Sequence, residues 1–189
     1  MLRLPSSLRS STAATALVLA AFMGGLSLGA VLFGRVADRS ARPLALFGAL
    51  EIGVALSGAA LAWLLGPGRE LLLLPLRAIG AGAVQRGVEF FLAFALVLVP
   101  TVLMGGTLPA LGRVLIRDMS GFVRSLGLLY GLNTLGGAAG VFLAGFFLFE
   151  WVGVAGSAFT AAAVQLGVGG SALLADRAWR GRERRPATT

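Results

Sequence analysis

The sequence predicts an all-α fold, a multi-pass bundle of about five transmembrane helices, and three observations carry that prediction. Of 189 residues, 57% are hydrophobic and 13% charged, against the roughly 25% charge of a water-soluble domain; the mean hydropathy is +0.89. The charges collect between apolar runs, each long enough to supply the ~20 residues with which a helix crosses ~30 Å of hydrocarbon. Glycines and prolines sit inside and between those runs, as lipid-embedded helices tolerate. The lipid bilayer is therefore the first expected partner.

Taken in order, the N-terminal segment 1–12 carries Arg3 and Arg9, and the first span covers 13–34 without a charge. A secretory signal begins similarly, but its apolar part is usually about 7–15 residues, shorter than this run. A second span, 44–66, follows Pro43, which suits a first helical turn, and stops at Gly66-Pro67-Gly68. Residues 69–87 place Arg69, Glu70, Arg77 and Arg86 around a leucine run, too short and too charged to span, and read as an interfacial segment. The third span, 88–111, contains Pro100 and Pro109 with Gly105-Gly106. Each proline removes a backbone donor, so a bend is expected there. A loop at 112–124 leads to spans at 125–149 and 152–175, which complete a bundle over 13–175 before a basic tail at 176–189.

All 16 basic residues are arginine, and the net charge is +8. Loop counts put eleven arginines on the side of the tail and five on the other, which predicts a cytoplasmic tail and an outside N-terminus. An odd number of spans starting outside, with no cleavable signal, predicts a further helix ahead of the first. The arginines flank apolar runs and form no stripe interleaved with exposed aromatics, so nucleic acid is not an expected partner. Cys, His and Lys are absent, which removes thiol nucleophiles, imidazole acid–base chemistry, Schiff bases and the usual zinc ligands. No cofactor and no metal is expected, and no residue is proposed as catalytic by itself.

Small residues recur every fourth position: Ala21, Gly25 and Gly29; Ala49, Gly53 and Ser57; Gly127 and Gly131; Gly136, Gly140 and Ala144. Such stripes let helices approach closely in lipid. Glu51, eight residues into the second span, must find a partner or stay protonated at that depth. It is a candidate proton or cation site, or else a hydrogen bond to a neighbouring helix. Asn133 in Tyr130-Gly131-Leu132-Asn133-Thr134 can donate and accept across a helix interface, as glue or as a substrate contact. Glu89 and Glu150 lie near helix ends and read as interfacial.

The stretch Gly34-Arg35-Val36-Ala37-Asp38-Arg39-Ser40-Ala41-Arg42 resembles the G-x-x-x-D-R-x-G-R loop signature between the second and third helices of the major facilitator superfamily. Gly34, Asp38, Arg39 and Arg42 match, while Ala41 replaces a glycine. A wider resemblance rests on Ala21-Phe22-Met23-Gly24-Gly25-Leu26-Ser27-Leu28-Gly29, Leu50-Glu51-Ile52-Gly53, Pro100-Thr101-Val102-Leu103-Met104-Gly105-Gly106-Thr107-Leu108-Pro109 and Leu129-Tyr130-Gly131-Leu132-Asn133-Thr134-Leu135-Gly136 in that order. The set is similar to the membrane domain of the bacterial fused facilitator/spermidine-synthase family. That resemblance implies part of a facilitator-like helix bundle working with a cytosolic synthase-like (aminopropyltransferase) domain.

It also implies truncation at both ends, with the family's first helix and its catalytic domain outside this chain. No strand followed by a Gly-rich, Asp-bearing nucleotide loop is present: Gly80-Ala81-Gly82 is followed by Gln85 where a dinucleotide fingerprint wants glycine. Two functions stay open at this point. One is a membrane domain that anchors or cooperates with a polyamine-synthase-like partner. The other is a half-sized facilitator-like transporter of a small solute, acting as a homodimer with Glu51 and Asn133 on its route.

Overall fold

The computed structural model describes residues 6–78, 82–115 and 122–183. Every regular element among them is helical. In chain order they are α1 (Ser6–Arg39), α2 (Pro43–Leu65), α3 (Arg69–Ala78), α4 (Ala83–Leu115), α5 (Phe122–Leu143), a π-helical turn (Ala144–Leu148) and α6 (Phe149–Glu183). Four continuous helical stretches are long and apolar enough to cross a membrane, and the chain is a membrane-embedded, all-α multi-pass bundle.

The last of the four stretches, Val123–Gly181, is 59 residues long. At about 1.5 Å per residue it measures roughly 88 Å, about three times the hydrocarbon thickness, and must bend to stay in a bilayer. Gly153 provides the bend with φ 69° and ψ 178°, a conformation that only glycine adopts without strain. The spans expected at 125–149 and 152–175 therefore correspond to α5 and α6, joined by a kink three residues past Glu150 instead of a turn.

Helices α1, α4 and α6 continue past their apolar runs. α1 continues to Arg39 and leaves only Ser40–Arg42 outside helical conformation, so most of the signature expected as a loop is the last two turns of a helix. The 69–87 segment divides into α3 and the first turn of α4. α4 passes through Pro100 and Pro109 without ending, and beside Pro100 the Thr101 hydroxyl donates to the carbonyls of Val97 (2.9 Å) and Leu98 (3.0 Å). α6 carries residues 176–183 of the expected tail as helix. Hydrophobicity marks where lipid is, whereas a helix stops where glycine, proline or a capping residue makes it stop. Residues 1–5, 79–81, 116–121 and 184–189, which include Arg3, Arg117 and Asp118, lie outside the described residues.

α1 and α4 run side by side and parallel: Gly25 meets Thr101, Gly29 meets Val102, and Gly106 meets Phe33. α2 packs on α4, with Gly53 against Leu103, and runs antiparallel to α6, with Gly48 against Gly169 and Leu173. The order across the bundle is thus α1, α4, α2, α6. It brings the ends of α1, α4 and α6 and the start of α2 to one arginine-rich face. A small core of Ala37, Leu50 and Ala110, covered by Phe33, Leu46, Phe47 and Leu103, lies just beneath that face. α5 touches this row lightly, through α4, and most of its residues are exposed.

Candidate functional site

Because glycines draw α1 onto α4 while α5 stands off, a cavity of about 680 Å³ opens among the three helices. Ser27 and Asn133 line it at mid-helix, Thr107 and Tyr130 line its flanks, and Asp38 and Arg113 lie at its arginine-rich end. Ser27 and Asp38 are eleven residues apart on α1, about 16 Å along the axis. The hydroxyls of Ser27 and Thr107 donate to carbonyls of their own helices, Met23 (2.9 Å) and Met104 (2.8 Å), which leaves their oxygen lone pairs to accept from a ligand. Among the described residues the Asn133 amide has no hydrogen-bond partner, and Asp38 and Arg113 form no ion pair. Apolar walls with a few convergent polar groups and opposite charges at one end suit a small amphipathic solute.

A second cluster closes the arginine-rich face. Arg42, which precedes Pro43 at the start of α2, donates from Nη2 (2.7 Å) and Nε (3.1 Å) to Oδ2 of Asp176 on α6. Arg180, one turn further along α6, sets its Nε 3.4 Å from the same oxygen and donates from Nη2 to the Ala41 carbonyl at 2.8 Å. The Asp176 side chain is only 9% exposed, so it is the buried centre of a clamp that ties the α1–α2 turn to α6. The charge-assisted, two-nitrogen contact from Arg42 is the strong kind of hydrogen bond.

The residues singled out from sequence fall in several places, and only three of them, Asp38, Asn133 and Arg42, belong to the cavity or the clamp. Asp38 and Asn133 line the larger cavity; Gly34 faces Pro109 of α4; Arg39 is exposed; Arg42 belongs to the clamp. Glu51 is half-buried on α2, lines neither this cavity nor the one beside the clamp, and has no hydrogen-bond partner among the described residues. Glu51 and Asn133 are not brought to one site. Sequence reasoning missed Asp176, Arg113, Arg180 and Tyr130. The one local signal was that Asp176 is the lone carboxylate between Glu150 and the arginine cluster. Arg180 stands at the i+4 position, but the stronger partner, Arg42, lies 134 residues away, beyond the reach of any local pattern. Comparison with protein-family models, with curated proteins and with solved structures found no match to this chain.

Proposed function

We propose that this membrane domain works with a cytosolic polyamine-synthase-like domain seated on its arginine-rich face, as the motif order from Ala21 to Gly136 implies, in a bacterial inner membrane. The observation that supports the reading is the way α6 leaves the bundle. Its apolar part ends near Leu174, yet the helix continues to Glu183, held where it exits by Asp176, Arg42 and Arg180. A clamped helix of that kind passes orientation to whatever it carries, where a flexible tail would not. The chain supplies anchoring and orientation, and the aminopropyl-transfer chemistry belongs to the partner.

The test is co-purification of the full chain with an aminopropyltransferase-like domain expressed beside it. Association that weakens when Asp176→Asn loosens the clamp supports the reading. An absence of association, with the bundle intact by circular dichroism, rejects it.

A second reading, a solute-binding half that acts as a homodimer, is favoured by one feature: the 680 Å³ cavity with the unpartnered Asn133 amide on a largely uncovered α5. Here Asn133→Leu abolishes solute uptake in vesicles, while Glu51→Gln, remote from the cavity, tests proton coupling separately. Uptake unchanged by Asn133→Leu removes the cavity from the route.

A further inference from the structure

Beside the clamp lies a smaller cavity of about 330 Å³, walled by Pro43 and Leu44 of α2, Arg113 and Val114 of α4, and Trp179 and Arg180 of α6. We infer that this cavity binds the phosphate of an anionic phospholipid headgroup from the leaflet at the arginine-rich face. Charge, shape and depth at this cavity favour such a headgroup, whatever the larger cavity does.

Two guanidinium groups, those of Arg113 and Arg180, line the cavity together with one carboxylate, Asp176, which Arg42 also contacts. One positive charge, that of Arg113, therefore remains uncompensated in a confined space. Arg113 has no ion-pair partner among the described residues; Asp38 lines the neighbouring cavity on its other side. Planar guanidinium groups bind phosphate through paired N–H donors, and the start of α2, where Leu44 presents a backbone N–H, adds to the positive potential.

The volume is at the small end of ligand pockets, which run roughly 300–1,000 Å³, and matches a headgroup better than an acyl chain. Depth selects lipid over a free anion. Trp179, about half exposed, belongs to the side-chain type that settles at the membrane–water boundary. Leu115 and Leu174, exposed within two residues of cavity-lining Val114 and Asp176, continue the apolar surface that acyl chains would cover. Basic pockets between helix ends at an arginine-rich face are the places where anionic headgroups are held.

The experiment is native mass spectrometry of the full chain released from nanodiscs of equal phosphatidylglycerol and phosphatidylcholine. The expected result is a several-fold preference for phosphatidylglycerol, brought close to parity by Arg113→Gln and lowered by Arg180→Gln, as befits about fivefold for one interfacial arginine. Arg180→Lys, which keeps the charge, retains most of the preference. Arg124→Gln, an exposed arginine on α5, leaves it intact. If Arg180→Gln fails to fold, Arg113→Gln decides, since no described ion pair depends on it. Equal retention of the two lipids overturns the inference, as does a preference that neither variant lowers. A site filled by inorganic phosphate in lipid-free detergent and emptied of lipid by the same phosphate also overturns it, in favour of a soluble anion.

Discussion

The α1–α4–α2–α6 row and helix α5 have similar compositions and opposite fates. In the row, Gly24, Gly58, Gly167 and Gly170 face open space, but other glycines mark helix contacts: a methyl group added at Gly48 would lie 2.7 Å from the Gly169 carbonyl, and additions at Gly29 and Gly105 would collide with the Val102 and Leu26 carbonyls. On α5 and the π-helical turn that ends it, Gly127, Gly131, Gly136, Gly137, Gly140 and Gly145 have open space where a methyl would go. Four-residue spacing of small residues thus permits close packing and does not establish it. The permissive spacing becomes a contact only where a second helix presents a matching face.

Substitutions at equivalent-looking glycines break or sharpen this contrast. The largest effect is expected at Gly29→Val, where side-chain atoms are forced into α4 backbone: a loss at the upper end of about 1–3 kcal/mol, read as a lower unfolding midpoint in denaturant titrations of the detergent-solubilised chain. A midpoint equal to wild type would mean that α1 and α4 are not in contact. Next comes Gly153→Ala, which places a Cβ at φ 69° and costs about 2 kcal/mol. Spin-label distances between α5 and α6 should broaden or shift, and an unchanged distance distribution would show that the kink does not need glycine.

Asp176→Asn is expected to cost about 1 kcal/mol. It removes the centre of the clamp, but Arg42 and Arg180 are partly exposed and recover hydration, which keeps the loss near that of surface pairs. Trypsin cleavage after Arg180 should accelerate in this variant; protection equal to wild type would mean that the clamp does not hold α6. The smallest effect belongs to Gly136→Ala and Gly140→Ala on α5. These change stability by under about 1 kcal/mol, with helix propensity favouring alanine. A large loss at either would show that α5 is covered in the membrane by a partner helix.

Much of this architecture was legible in the sequence because membrane insertion reads a linear property. Every regular element among the described residues is helical, since desolvation of the backbone leaves helix as the answer for an apolar run of about 20 residues. Boundaries were less legible: Arg35–Arg39 and 176–183 continue as helix into polar sequence, because nothing there terminates it. In the larger cavity, Asp38 could be named in advance as part of the loop signature and Asn133 as a polar group inside an apolar run. Arg113 and Tyr130 could not, because they look like an ordinary loop arginine and an ordinary aromatic until α5 stands beside α4.

By itself the sequence determined that this chain lies in a bilayer as crossing helices with its arginines outside the lipid. Hydrophobic length and charge position are sufficient for that, whichever helices meet. Tertiary structure alone decided that α1 pairs with α4 and α2 with α6, that Asp176 answers Arg42, and that Glu51 and Asn133 fall at different places. The physical reason is that lipid and protein interior are equally apolar. A membrane helix therefore carries little record in its hydrophobic pattern of which face a neighbour covers, and only close packing and polar pairing between distant segments select its partners.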